Sequence, residues 1–290
     1  RSLSLLMDIS GSMSLEALTG SRKAFHPLIS AVRPHPGEAK TARNLLKILG
    51  DESGISKSHK DCRKVQDTYS LRCMPQVHGA AKDTFRHSLK VFETEANSST
   101  DNPLVFWEDE VILSGGNFHG EPVAFASDFL SIATAELGSI SQQRISRLIN
   151  TTTSGLPPFL INNSGLNSGM MAVEYAAASL VSENKVYSHP ASVDSIPTCA
   201  DKEDHVSMGT IGARKMKKII RNVQKVCAME FLCAAQGLDH LRPLKPAAGV
   251  LAAYEAIRNH VSYAESDRPF YQDVETILTL VKNGTILNAV

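Results

Sequence analysis

Three polar side chains that suit the binding of an anion stand at steps of three in the stretch VQDTYSLRC, residues 65–73. They are Gln66, Tyr69 and Arg72. If the stretch is helical, this spacing drifts slowly around the axis and keeps the three groups within one broad stripe. An amide, a phenol and a guanidinium in one stripe fit the wall of a site that grips a carboxylate, and they fit a solvated surface equally well.

Two further segments carry polar groups in surroundings that are unusual for plain connections. Residues 98–106 place Asp101 and Asn102 before a proline, and residues 114–122 carry Phe118 and His119 out of a Gly-Gly turn. Each also has a purely structural interpretation, because Asp-Asn-Pro is a good turn and two glycines can join a hairpin to a helix. Without a following Gly-Lys-Ser/Thr, the glycine-rich turn is not a phosphate-binding loop.

A long polar segment, residues 188–209, ends in acidic residues before an apolar helical pattern. Asp201 is a candidate N-cap with Asp204 three residues further on, and Glu203 would favour the positive end of a helix. These segments together are compatible with a site for a polar, carboxylate-bearing substrate, but the residue types alone leave the structural alternative open.

The elements that must position these residues are predicted to be helices. Apolar residues at steps of three and four predict helices over 122–149, 167–187, 204–241, 250–261 and 274–281. Only residues 104–113 alternate like strands around an acidic turn. We therefore predict an all-α, elongated bundle of long helices with one small β-hairpin, in which residues 1–290 form a single helical portion.

Composition excludes several classes of protein. The 290 residues carry 30 basic and 30 acidic side chains, so no charge excess predicts binding to nucleic acid or to an anionic membrane. No apolar run approaches the length that a bilayer span requires. The five cysteines include no C-x-x-C pair, which favours reduced thiols and a cytoplasmic location. His59 and Cys62 have a ligand-like spacing, but no second pair completes a zinc site, so we predict no metal.

Six ordered motifs of the sequence resemble those of the aromatic amino acid ammonia-lyases, and among them most closely the histidine ammonia-lyases. The motifs are VQDTYSLRCMPQVHGA, DNPLVF, GGNFHGEPVAFA, LPPFL with GLNSGMM, SENKVYSHPASVDSIPT and EDHVSMG. The similarity runs from about residue 10 to residue 280. It implies a lyase that eliminates ammonia from L-histidine without oxidation and gives urocanate, as a step in histidine catabolism.

The resemblance also implies roles for the residues of the first stretch. Arg72 matches the arginine that holds the substrate carboxylate, a role that suits a rigid guanidinium fork. Tyr69 matches a catalytic tyrosine close to the electrophile, and Gln66 matches a polar residue of the substrate-binding wall.

Three more substrate-binding residues follow from the same resemblance. Phe118 matches an aromatic residue that packs near the substrate, and Met171 matches a residue near the substrate ring. Glu203 matches the carboxylate that faces the imidazole in the histidine enzymes, where the phenylalanine enzymes carry glutamine. Beside it, Cys199, Asp201 and Lys202 replace the family's usual Ser, Asn and Gln, and Lys202 is placed to pair with Glu203.

The family's cofactor is a methylidene-imidazolone that the protein makes from its own Ala-Ser-Gly, and no Ala-Ser-Gly occurs in the 290 residues. Thr153-Ser154-Gly155 and Asn163-Ser164-Gly165 also end in Ser-Gly, but their first residue differs and they lie in other sequence contexts, so neither is the expected precursor. We therefore expect a C-terminal portion that is inactive alone and is completed by an N-terminal segment, either in the same protein or in a complementing chain. The family's homotetramer implies that the apolar helix faces bury against copies of themselves.

Three alternatives remain open at this stage. The chain fits a lyase or an aminomutase for another aromatic amino acid, a non-catalytic relative that serves only assembly, and one subunit of a split enzyme.

Overall fold

The computed structural model describes residues 2–62 and 64–290. Over this part of the chain the regular structure is helical apart from one short hairpin, as predicted. The α-helices are α1 Ser2–Ala17, α2 Pro27–Val32, α3 Pro36–Leu49, α4 Gly54–Ser58, α5 Tyr69–Arg72, α6 Met74–Ala96, α7 Glu121–Ile149, α8 Thr151–Ser154, α9 Met171–Tyr187, α10 Gly209–His240, α11 Ala248–Arg258, α12 Phe270–Lys282 and α13 Thr285–Ala289. Short 3-10 helices span Arg22–Phe25 and Pro158–Leu160.

The predicted hairpin is confirmed. Strands β1 Leu104–Phe106 and β2 Val111–Leu113 pair antiparallel, with Val105 opposite Ile112. Both of these side chains are exposed, so the hairpin stands on the surface and adds little to the core.

The two longest helices, α7 and α10, pack against each other and form the centre of the bundle. Their apolar patterns are confirmed by burial, since Leu137 on α7 and Val223, Val226 and Cys227 on α10 are fully buried. The predicted starts at 167 and 204 are too early, because α9 begins at Met171 and α10 at Gly209. The residues just before each helix lie outside the helical backbone, although the sequence pattern included them.

Helix α1 was missed by periodicity because it is buried on every side. All residues from Leu6 to Ala17 are buried, including several serines and the acidic Asp8 and Glu16. A helix that is enclosed all round has no polar face, so its sequence lacks the amphipathic signal that reveals a surface helix.

Helix α6, which follows the Tyr69–Arg72 turn, is held close to α3 by two glycines. A Cβ added at Gly37 or at Gly79 would overlap the backbone of the other helix. The backbones therefore touch directly at this point, and larger side chains would push α6, and the turn before it, outward.

Helix α7 is long and apolar enough by length and composition to cross a bilayer, which corrects the expectation that no segment reaches that length. It is the one such helix within the described residues. About half of its most apolar window, 56%, is buried inside the protein, and it also buries Asp128 and Arg144. Core helices of folded proteins pass the same test, and we interpret α7 as a core helix.

Candidate functional site

The Tyr69–Arg72 segment is a single helical turn, which corrects the predicted three-residue stripe. Gln66 precedes it in a non-helical segment, and the backbone of Thr68 is extended at φ −64° and ψ 159°. Gln66 therefore shares no helix face with the other two residues. The prediction failed because polar spacing at steps of three is compatible with a helix but does not require one.

Tyr69 and Arg72 do lie together. The Arg72 guanidinium stacks over the Tyr69 ring, 4.7 Å from its centroid. The ring is 71% exposed, so the phenol faces outward. The Arg72 Nε is buried and has no hydrogen-bond partner among the described residues. A cationic donor that is desolvated and unpartnered provides a ready contact for an anion.

The Tyr69–Arg72 turn is held on its inner side by a buried arginine, Arg144, which the sequence patterns did not reveal. Arg144 of α7 is fully buried, and its Nη1 donates to the carbonyl of Ser70 at 3.3 Å. Ser70 and its neighbour Leu71 are themselves buried. The inner side of the turn is thus tied to the core, while the outer side carries Tyr69 and Arg72.

Arg144 is in turn held by Glu230 of α10, which collects hydrogen bonds from three serines. The carboxylate accepts from Ser10 at 2.8 Å, Ser14 at 2.7 Å and Ser141 at 2.6 Å. Burial alone would raise the pKa of Glu230, but the charge of Arg144 and the donated hydrogen bonds outweigh it and lower the pKa. A glutamate inside the apolar run VCAMEFLCAAQ was the signal that could have revealed this pair.

A histidine connects the same arginine to a second buried acid. His78 Nδ1 lies 2.9 Å from Asp8 Oδ1, and its Nε2 lies 3.5 Å from Arg144 Nη1. Lys82 also contacts Asp8, at 2.8 Å. Burial lowers the pKa of His78 to about 4, despite the hydrogen bond to Asp8. His78 is therefore neutral near pH 7, and the geometry indicates that Nδ1 donates to Asp8 while Nε2 accepts from Arg144.

The glycine-rich turn and the segment before α10 meet, although they are far apart in sequence. Phe118 is 59% exposed and lines a cavity of about 530 Å³ whose other walls include Val206 and Met208. Next to it, His119 Nε2 lies 3.1 Å from the carbonyl oxygen of His205. The fold thus joins two of the segments that the sequence analysis had selected.

Glu203 lies in a tight loop rather than at a helix end. A bridge pairs Thr198 with Glu203, and the Thr198 hydroxyl donates to the Glu203 carboxylate at 2.6 Å. Cys199 and Asp201 within the loop have φ of 51° and 61°, in the left-handed region. Asp201 is not an N-cap, because α10 begins only after Met208. The bridge between Thr198 and Glu203 holds Asp201 inside this loop, several residues before the helix begins.

Lys202 does not neutralise its neighbour, contrary to the pairing considered from sequence. In the part of the chain that the structure describes, Glu203 forms no salt bridge with Lys202 and remains exposed. The carboxylate therefore keeps an open side toward solvent.

Two of the six selected residues lie elsewhere. Met171 is half-buried and is the first residue of α9. Gln66 lines a separate cavity of about 340 Å³ together with Glu16 and His59. Neither of these two cavities is lined by Tyr69, Arg72, Glu203 or Met171 within the described residues. In the single chain the selected residues thus occupy several surface positions rather than one enclosed pocket.

Comparison with known proteins gives consistent matches over nearly the whole chain. The profile of the aromatic amino acid lyase family matches residues 1–259. A histidine ammonia-lyase of Sorangium cellulosum (strain So ce56) is 52% identical over 294 residues, which cover 99% of this chain and 57% of that protein. The chain spans a little more than half the length of the relatives it matches.

Solved structures agree with this. The crystal structure of histidine ammonia-lyase from Trypanosoma cruzi superposes with a TM-score of 0.92 at 43% identity, covering 100% of this chain and 55% of that one. Tyrosine aminomutase from Streptomyces globisporus superposes with a TM-score of 0.92 at 35% identity, covering 99% and 58%. The helical arrangement described above is therefore one that these enzymes share.

Proposed function

The chain belongs to the aromatic amino acid lyase family, and from that premise we propose that it supplies part of the site of a histidine ammonia-lyase. The reaction would be the non-oxidative elimination of ammonia from L-histidine to give urocanate, a step of histidine catabolism. Relatives at about half identity that bear this name support the substrate.

The observation that carries the proposal is the buried, unpartnered Nε of Arg72. A desolvated guanidinium edge is costly without an acceptor, and a substrate carboxylate supplies two acceptor oxygens in the matching geometry. Arg72 would hold the carboxylate. Tyr69, stacked against the guanidinium and exposed at its hydroxyl, would hold or move a proton at its Oη beside the bound amino acid.

The ring of the substrate would be recognised by residues from the other segments. Glu203 offers an exposed carboxylate oxygen to an imidazole nitrogen, while Thr198 fixes the opposite oxygen. Phe118 and Met171 would contact the ring, and Gln66 would line its polar side. Since the single chain leaves these positions open, the proposal includes a homo-oligomer, a tetramer in the family, in which neighbouring copies close the site.

The family's methylidene-imidazolone supplies an electrophile that activates the amino acid toward loss of ammonia. Its precursor Ala-Ser-Gly is not found in these 290 residues, so none of the residues described here can provide it. In this proposal the electrophile comes from a segment outside this sequence, and the completed protein acts in the cytoplasm.

A lyase or aminomutase for another aromatic amino acid is the second candidate, because tyrosine aminomutase shares the same fold over this length. Glu203 separates the two candidates. A carboxylate accepts a hydrogen bond from the imidazole nitrogen of histidine and stabilises an imidazolium, whereas the ring of phenylalanine carries no donor and the phenol of tyrosine offers only a neutral one.

The test is complementation. The chain is purified alone and together with the co-expressed N-terminal segment of the Sorangium cellulosum relative, and each sample is given L-histidine, L-tyrosine or L-phenylalanine. We expect no product from the chain alone and urocanate absorbance from the complemented sample with L-histidine only. Turnover of L-tyrosine or L-phenylalanine in preference to L-histidine would replace the proposal by the second candidate. A complex that forms but turns over none of the three would refute both.

A further inference from the structure

Three side chains with the chemistry of metal ligands converge where the glycine-rich turn meets the segment before α10. They are His119, Glu121 and His205, and one ligand atom from each lies within 4.8 Å of the other two. His119 and His205 are 86 positions apart in sequence. Sequence spacing therefore gave no sign of the cluster, and only the fold assembles it.

The two imidazole rings lie side by side, with one nitrogen of each ring pointing toward the other ring. His205 Nδ1 lies 3.4 Å from His119 Nε2, and the ring centroids are 5.5 Å apart. Two nitrogens bound to one tetrahedral Zn²⁺ at about 2.0–2.1 Å are themselves about 3.3–3.4 Å apart, by the geometry of a tetrahedron. The observed separation matches the edge of such a coordination sphere.

The carboxylate of Glu121 supplies the second, independent observation. Its Oε2 is buried and has no hydrogen-bond partner among the described residues. A buried carboxylate oxygen without a donor loses the hydration that it has in water, so it requires a proton donor or a cation. Glu121 is the first residue of α7, which brings its carboxylate to the two histidines.

The local backbone makes the arrangement compact. The amide of His119 donates to Gly116 at 2.9 Å, which closes the glycine-rich turn. Gly120 lies so close to Ser207 that a Cβ there would approach the Ser207 hydroxyl to 3.3 Å. The turn and the segment before α10 are thus in direct contact, and His119 and His205 are held opposite each other.

We propose that His119, Glu121 and His205 form a binding site for a divalent transition-metal cation, best matched by Zn²⁺. Two imidazoles and one carboxylate are a donor set that Zn²⁺ accepts, and they leave a fourth position for water or another ligand. The site borders the cavity lined by Phe118 but does not depend on the proposed lyase function. Nothing in the proposed elimination requires the cation.

The alternative to a metal site is a hydrogen bond between the side chain of His119 and the backbone of His205, with no cation bound. His119 Nε2 also lies 3.1 Å from the carbonyl oxygen of His205, and a hydrogen on that nitrogen would donate to it and close the nitrogen to a metal. The two arrangements differ in their response to added metal, because only the metal site has an affinity for a cation that depends on all three side chains.

The experiment is calorimetric titration of the metal-free 290-residue chain with Zn²⁺, together with Co²⁺ absorption spectra as a report on the donor atoms. The variants are His205→Gln and Glu121→Gln. The controls are His260→Gln, an exposed histidine at the end of α11, and Cys62→Ser, which removes the exposed thiol near His59. Far-ultraviolet circular dichroism verifies that each variant is folded.

We expect one Zn²⁺ to bind tightly per chain. Its affinity should fall at least about tenfold in both variants, because removing a metal ligand weakens binding at least as much as removing a residue that supports a ligand. The affinity should be unchanged in both controls. The Co²⁺ spectrum should show tetrahedral bands without thiolate charge transfer. Absence of stoichiometric binding, equal affinity in His205→Gln, or loss of binding in Cys62→Ser would each overturn the proposal. If one variant fails to fold, the other decides.

Discussion

Arg144 and Glu230 form a salt bridge that is closed to solvent on both sides. The Nε–Oε1 distance is 2.5 Å and the Nη2–Oε2 distance is 2.9 Å, with both side chains 0% exposed. The same guanidinium reaches the carbonyl of Ser70 in the turn that carries Tyr69 and Arg72. One ion pair thus links α7, α10 and the candidate site.

Glu230→Gln should lower the free energy of unfolding by about 3–5 kcal/mol, because it leaves the Arg144 charge buried without a counter-charge. The measurement is urea unfolding followed by circular dichroism. Ser141→Ala, which removes one donor to the same carboxylate, should cost about 1.5–3 kcal/mol and provides a milder variant. Glu52→Gln breaks only the exposed pair with Lys57 and should cost less than about 1 kcal/mol. Equal effects of Glu230→Gln and Glu52→Gln would contradict the prediction.

Stability should fall as the pH decreases from about 6.5 to about 4, in part through His78. The unfolded chain binds a proton at His78 in this interval whereas the folded chain does not, so the contribution is complete above pH 6.5 and is lost on acidification. The difference between these two pKa values corresponds to about 3 kcal/mol. Glu16, whose pKa is raised by burial, titrates with the opposite sign, so only a comparison of variants isolates His78.

His78→Gln keeps a donor for Asp8 but cannot titrate, so the slope of unfolding free energy against pH should flatten in this variant. His260→Gln, at an exposed position, should leave the slope unchanged. A slope in His78→Gln that equals that of the unsubstituted chain would show that His78 is not the titrating group.

Arg72→Met in a complemented enzyme should weaken transition-state stabilisation by about 2–5 kcal/mol, as expected for removing one partner of a desolvated charge pair. The loss should appear with every amino acid substrate, since all present the same carboxylate. The measurement is kcat/KM for L-histidine. Arg86→Met, which removes an exposed arginine paired with Asp83, is the matched control. An unchanged kcat/KM in Arg72→Met would remove Arg72 from the site.

Glu203→Gln in the same enzyme should reduce turnover of L-histidine by about ten- to a hundredfold, because a charge-assisted hydrogen bond to the imidazole becomes a neutral one. Any weak activity toward L-phenylalanine should stay the same or rise slightly. The melting temperature serves as the stability control, and Glu265→Gln, an exposed glutamate outside the candidate site, is the matched variant. Equal losses for both substrates would defeat the assignment of Glu203 to the ring.

The chain should self-associate through α7. Phe125, Phe129 and Ile132 form a stripe at helical spacing, and each is more than 40% exposed. Sedimentation of the 290-residue chain at micromolar concentration should show species larger than a monomer. Phe125→Asp combined with Phe129→Asp should shift the distribution toward monomer, whereas Tyr271→Glu on α12 should leave it unchanged. A monomer in the unsubstituted chain would contradict the expected association.

The sequence by itself determined the helical class, the hairpin and the long central helices. Apolar residues at steps of three and four require a helix with one buried face, and Leu137 and Val223 are buried as this pattern predicts. The motif order also indicated the family. These features are local, because the period of a pattern or the order of motifs can be read along the chain.

The tertiary structure alone decided how distant groups meet. Helix α1 is hidden from periodicity because it is enclosed on all sides, and the partner of Arg144 lies 86 positions away on α10. The Tyr69–Arg72 turn excluded Gln66 because the backbone of Thr68 is extended, which no residue type in that stretch dictates. Burial removes water as the alternative partner for charged and polar groups, so pairing in the core is fixed by packing between helices and not by sequence spacing.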